Sequence, residues 1–158
     1  MATLFLICGL PGAGKTTLAK QLERTHNALR LCPDEWIAQI LADPTDIGEL
    51  DRLRAPVESL QWEVAKRVLM LGVHVILENG FWSREERMQF RTQAELLGAG
   101  VELHYLNVDL NRLWERLSKR NSDLPPGTFI VSREDLEQWA RSFEPPAEDE
   151  LPFLTHSM

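Results

Sequence analysis

A chain of 158 residues has room for one domain with its own core and not for two, and a 44% hydrophobic content excludes extended disorder. The formal net charge of -7 argues against non-specific nucleic acid binding, which needs a clustered basic surface. No apolar run approaches a membrane span, and no basic-then-apolar leader opens the chain, so the default expectation is a cytoplasmic protein.

In chain order, Thr3 to Cys8 is an apolar run of strand length. Gly9-Leu10-Pro11-Gly12-Ala13-Gly14-Lys15-Thr16-Thr17 follows and fits G-x-x-x-x-G-K-[ST]; Leu18, Ala19 and Leu22 then recur at helical spacing. Strand, glycine-rich loop and helix is the order that a phosphate-binding loop requires. Backbone N–H groups must wrap a polyphosphate closely, which calls for Gly9, Gly12 and Gly14. Lys15 is expected on the β- and γ-phosphates and the Thr16 hydroxyl on Mg²⁺, so a nucleoside triphosphate with Mg²⁺ is the first functional expectation.

Ala28 to Cys32 reads as a short second strand, followed by helix-start chemistry at Pro33-Asp34-Glu35 and a stripe of Trp36, Ile37, Ile40 and Leu41. Leu50 to Leu71 is a long helical segment, expected to begin properly at Pro56 and to bury Leu60, Val64, Val68 and Leu71. Val73 to Leu77 is a buried strand, with Glu78 to Trp82 as the turn behind it. Ser83 and Glu86 form a capping box for a helix to Leu97, and Val101 to Val108 is the next strand. Helices over 110–120 and 133–143 flank a Pro/Gly-rich loop at 121–131. The tail, 144–158, reads as irregular with at most a short edge strand. Cys8 and Cys32 end apolar runs without disulfide or metal spacing and are expected as buried free thiols; the four histidines show no ligand spacing either.

Strands and helices alternate without repeat or linker. That pattern predicts an α/β three-layer sandwich of the P-loop NTPase type: one domain over 1–158, with a parallel sheet, helices on both faces and a small lid. Ligands bind beyond the carboxyl ends of such strands. Asp34 stands there and could accept a proton from an attacking hydroxyl; it could equally cap a helix. Glu35 is expected to be a solvated first-turn residue. Glu78 is a candidate to contact the Mg²⁺ shell or the loop hydroxyl, or to be a buried acid paired with an Arg or backbone N–H groups. Phe81 and Trp82 are candidates for an acceptor wall or for the core. Arg116 and Arg120 share a helix face leading into the 121–131 loop, where they could neutralise a transferring phosphoryl group or form a salt-bridged surface. Arg84, Arg87 and Arg91 read as charged surface.

The phosphate loop together with Cys-Pro-Asp-Glu-Trp, Val-Ile-Leu-Glu-Asn-Gly-Phe-Trp-Ser-Arg-Glu-Glu-Arg and Glu-Arg-Leu-Ser-Lys-Arg-Asn resembles a family of small phosphate-loop kinases. That family includes the kinase domain of phage polynucleotide kinase; chloramphenicol phosphotransferase and zeta-toxin kinases look like more distant relatives. The resemblance implies ATP-dependent transfer of a γ-phosphoryl group to a hydroxyl, with Asp34 as general base, Arg120 as lid arginine, Arg116 as helper and Glu78 as the acid after the third strand. Polynucleotide kinases carry an Arg shortly after the catalytic Asp, and Asp34-Glu35-Trp36-Ile37 has none. The lid also lacks an Arg after Asn121. Both differences point to a small hydroxylated molecule, an antibiotic or metabolite, as acceptor. A polynucleotide 5′-hydroxyl and a regulatory ATPase that transfers to nothing are the alternatives.

Overall fold

The computed structural model describes residues 1–156, with 151–156 as backbone alone. Its elements in chain order are β1 (Thr3–Cys8), α1 (Lys15–His26), β2 (Leu29–Leu31), α2 (Pro33–Ile40), α3 (Ile47–Met70), β3 (Val75–Gly80), α4 (Arg84–Leu96), β4 (Gly100–Tyr105), α5 (Leu110–Ser122), α6 (Arg133–Ser142), a 3-10 segment (Glu148–Phe153) and β5 (Leu154–His156). The strands form one parallel sheet in the order β2-β3-β1-β4-β5.

Side-chain alternation on β1 explains the layers. Leu4, Leu6 and Cys8 face α3 and α4, and pack with Trp62, Ala65, Leu69 and Ala94. Phe5 and Ile7 face the other way, onto Ala19 and Leu22 of α1, Leu113 and Leu117 of α5 and Leu136 of α6. A strand at the centre of a parallel sheet is covered on both faces, so its sequence is continuously apolar. This is the three-layer α/β arrangement that the alternation of elements predicts. Among the described residues no helix is long and apolar enough to cross a membrane.

Several sequence expectations are corrected. α3 starts at Ile47, not at Pro56, because the Asp46 side chain accepts the Glu49 N–H at 3.1 Å and caps the helix there. Arg52 and Pro56 are both exposed, so the carbonyl that proline leaves unbonded lies on the wet side. The buried face of α3 is Val57, Gln61, Trp62, Ala65 and Leu69. Leu60 and Leu71 are 61% and 80% exposed, because apolar residues occupy both sides of this helix and Ala65 allows the closer approach to the sheet. In α2 only Ile37 of the expected apolar stripe is fully buried. β3 is shifted two residues later than expected and carries Glu78 and Asn79 within the strand. In the tail, the 3-10 segment and β5 follow residues 144–147; residues 157 and 158 lie outside the described part.

Arg87 is not surface charge. It is 2% exposed, with Nε donating to Glu150 at 2.7 Å and Nη1 to the Phe81 carbonyl at 2.9 Å. Burial pushes the Glu150 carboxyl up, but Arg87, the Ala147 amide and Arg84 together hold it below the ordinary carboxylate range. The stabilisation is therefore present at neutral pH and is lost as the pH falls through the depressed folded value. Glu150→Ala strands a buried guanidinium, so urea unfolding at pH 7 should show a loss of about 3–5 kcal/mol, with the gap to the parent chain closing on acidification. A loss under about 1 kcal/mol at pH 7 would contradict the pairing.

Candidate active site

The glycine loop lies at the carboxyl end of β1. Gly9 N–H donates to the Gly80 carbonyl at 3.0 Å, and Trp82 Nε1 donates to the Gly9 carbonyl at 3.3 Å, so the end of β3 braces the loop entrance. Gly12 has φ +84°, and a Cβ there would stand 2.9 Å from Leu117 Cγ, so a side chain is excluded on two counts. No side chain caps α1, which leaves its first-turn N–H groups free to face an anion. Arg116 Nη1 donates to the Gly12 carbonyl at 3.2 Å and Lys15 Nζ to the Leu10 carbonyl at 2.9 Å.

Beside the loop, Glu78 is buried. Its Oε1 accepts from the Thr16 hydroxyl at 2.8 Å and its Oε2 from Arg30 Nη1 at 2.5 Å. Arg30 also donates to both oxygens of Glu35, at 2.6 and 2.9 Å, and lies 3.6 Å from Glu23. Glu35 is therefore a paired residue, contrary to the expectation of a solvated one. Burial and the neighbouring carboxylates push the Cys32 thiol up to about 12. Cys32, Glu35 and Glu78 bring three ligand atoms within 4.8 Å of one another, but the Arg30 guanidinium is already hydrogen-bonded to both carboxylates. Cys8 and Cys32 are buried and free, as expected.

Asp34 does not cap α2. Cys32 is the N-cap and Pro33 occupies the first turn, so Asp34 falls inside the helix with its side chain free for other contacts. Its Oδ1 accepts from Arg54 Nη2 at 2.8 Å, across from α3. Burial lowers the Lys15 ammonium, and Asp34, followed by Glu78, pulls it back up. Burial lowers Arg120 too, and again Asp34 opposes. The Asp34 charge is thus felt by both the loop lysine and the α5 arginine. Arg120 Nη2 donates to the Phe129 carbonyl at 3.2 Å, while its Nε is buried without a partner among the described residues.

α5 runs to Ser122, two residues past its expected end, so the expected 121–131 loop starts at Asp123; it lies over this rim. Phe129 packs with Ile37 and Val57 in a third small core between α2 and α3. At Gly127, φ is +76° and a Cβ would stand 2.8 Å from Glu35 Cγ. Asn121 fastens the far end, donating to and accepting from Val131 at 2.7 and 3.1 Å. Phe81 is core, at 0% exposure.

Three residues near the site escaped the sequence reading. Arg30 had a signal, a lone charge inside a short strand. Arg54 had none, lying 20 residues from its partner on another helix. Glu58, 3.9 Å from Arg54, looked like an ordinary helix-surface acid.

A glycine loop between a central parallel strand and a helix, with a lysine, a hydroxyl and a buried acid around it, defines a P-loop nucleotide-binding domain. The AAA domain family AAA_33 matches residues 4–146, and the chain belongs to that family. It is 29% identical over 157 residues to an adenylate kinase of Streptococcus uberis (strain ATCC BAA-854 / 0140J), covering 91% of this chain and 68% of the relative. Its fold is shared with a gluconokinase from Sinorhizobium meliloti 1021, at 16% identity and a TM-score of 0.67, covering 98% of this chain and 81% of the other. A chain of the Pnkp1/Rnl/Hen1 RNA repair complex aligns with a TM-score of 0.69 at 20% identity, covering 89% of this chain and 43% of its own.

Burial pushes the Glu58 carboxyl up to about 7, with Glu86 adding to the rise and Arg54 opposing it. Folding therefore favours the protonated form, and stability falls as the pH rises from the ordinary carboxylate range through the folded value. Glu58→Gln should accordingly gain more unfolding free energy, relative to the parent chain, at pH 8 than at pH 5. Equal differences at the two pH values would contradict this.

Proposed function

We propose that the chain is a kinase that transfers the γ-phosphoryl group of ATP, with Mg²⁺, to a hydroxyl of a small molecule. The observation that carries this reading is the phosphate loop at the carboxyl end of the central parallel strand, with Lys15 and the Thr16–Glu78 pair beside it and Asp34 at the start of the helix that follows β2 on the same rim. In this reading the whole chain acts as one kinase domain, and residues 121–131 are its lid.

The residues fit the nucleotide. The loop at Gly12 and Gly14 and the uncapped first turn of α1 offer backbone N–H groups, Lys15 a point charge, and Arg120 a buried Nε with no partner among the described residues. They also fit Mg²⁺, since Thr16 and Glu78 place a hydroxyl and a carboxylate oxygen 2.8 Å apart, and hard oxygen donors suit that ion. Bound there, the ion would neutralise charge on the β- and γ-phosphates. Asp34 takes the proton of the acceptor hydroxyl as its oxygen bonds to the γ-phosphorus; the bond to the β,γ-bridging oxygen breaks, and ADP leaves with that electron pair. Arg120 and Arg116 stabilise the charge on the moving group.

The acceptor class follows from the rim. The residues directly after Asp34, Glu35-Trp36-Ile37, carry no cation, and the nearby Arg30 and Arg54 are each already paired with carboxylates, which disfavours a phosphorylated acceptor. A gluconokinase shares the fold, and a small polyol suits such a rim. A second reading, a nucleoside monophosphate or a nucleic acid 5′ end as acceptor, draws on the adenylate kinase relative, the RNA repair complex and the guanidinium that Arg54 returns to the rim. Mass spectrometry after incubation with Mg·ATP and a panel of polyols, amino sugars, AMP and a 5′-hydroxyl oligonucleotide should find a small non-phosphorylated acceptor heavier by one phosphoryl group. Transfer only to AMP or the oligonucleotide would replace the acceptor assignment, and hydrolysis with no product in any arm would favour a regulatory ATPase. On the responding acceptor, Asp34→Ala should leave Mg·ATP affinity within about twofold and lower turnover by about 10² or more. Parent-level turnover would remove the base assignment.

A further inference from the structure

We propose that Arg54 is the positioning residue for Asp34, an inference that rests on the general-base reading above. Asp34 sits in the first turn of α2 with its side chain about two-fifths exposed, and a lone exposed carboxylate has several rotamers of similar energy. Arg54 removes that freedom. Its Nη2 donates to Oδ1 at 2.8 Å from a separate helix, while among the described residues none hydrogen-bonds to Oδ2. One oxygen is fixed and the other is left for the proton of an incoming hydroxyl. Fixing an aim of this kind matters because in-line attack requires the nucleophile to be held within a few tenths of an ångström.

Arg54 is itself oriented. Its Nη1 lies 3.9 Å from Glu58 Oε1, one turn further along α3, so the guanidinium spans two carboxylates of unequal reach. Val57, between them in sequence, is 2% exposed and packs with Ile37 and Phe129, which locks this stretch of α3 against α2 and the 121–131 loop. The chain thus supplies from α3 a cation at the base that the residues directly after Asp34 do not provide. A lysine at position 54 would keep the charge but lose the planar fork that selects one oxygen.

The test does not need the acceptor. Mg·ADP with aluminium fluoride mimics the transferring phosphoryl group, and a water aligned by the base stands in for the hydroxyl. Calorimetry should show that the parent chain binds Mg·ADP–aluminium fluoride at least about tenfold more tightly than Mg·ADP. Arg54→Met and Asp34→Asn should each lose most of that enhancement while keeping the Mg·ADP affinity, which also reports that the variants are folded. The double variant should be no worse than either single one, Arg54→Lys should recover only part of the enhancement, and added guanidinium ion should restore some of it to Arg54→Ala. If Arg54→Met keeps the full enhancement while Asp34→Asn loses it, the positioning role is wrong and the base reading survives. If Asp34→Asn keeps it, or the parent chain shows none, the base reading fails and this inference fails with it. Loss of Mg·ADP affinity in Arg54→Met together with Arg54→Lys would make Arg54 a structural residue.

Discussion

Glu78 is the group on which the site converges. Its two oxygens are spoken for by different elements: one by the Thr16 hydroxyl at the start of α1, the other by Arg30 from β2. The carboxylate is almost fully enclosed, so neither contact can be exchanged for water at little cost. Arg30 then carries the link on to Glu35, the residue after Asp34. The phosphate loop, the end of β3 and the start of α2 are therefore fixed relative to one another by charge as well as by the parallel sheet beneath them.

That arrangement divides the labour along the rim. Backbone geometry shapes the cup, where Gly12 and Gly14 have positive φ and Trp82 and Gly80 hold Gly9. Side chains from separate helices complete it: Lys15 from α1, Asp34 from α2, Arg54 from α3, Arg116 and Arg120 from α5. None of these positions depends on a long flexible loop. Residues carried on helices hold a constellation more firmly than loop residues do.

The sequence was informative where local chemistry determines structure. The glycine spacing specified the cup, the Ser83 cap specified α4, and strand–helix alternation specified the sheet. It misled where two local signals competed. Pro56 looked like a start because proline favours the first turn, but Asp46 offers a capping oxygen ten residues earlier and wins. On α3, Leu60 and Val64 made as good a stripe as Val57 and Ala65, and only the tertiary contacts of Trp62 with Phe90 and Gln93 decide which side turns inward. Arg87 and Glu150 could not be paired in advance, because their separation of 63 residues leaves no trace in composition or periodicity. The same holds for Arg54 and Asp34.

Phe129 has a mechanical consequence. Its ring is buried between α2 and α3, so the strap it belongs to cannot swing away without returning a phenyl side chain to water. Exposing such a ring costs about 2–3 kcal/mol, and the Arg120–Phe129 and Asn121–Val131 hydrogen bonds oppose the same movement. The segment is thereby anchored at its middle by one apolar plug, so its hold on the rim is set by packing between α2 and α3 rather than by its own chain.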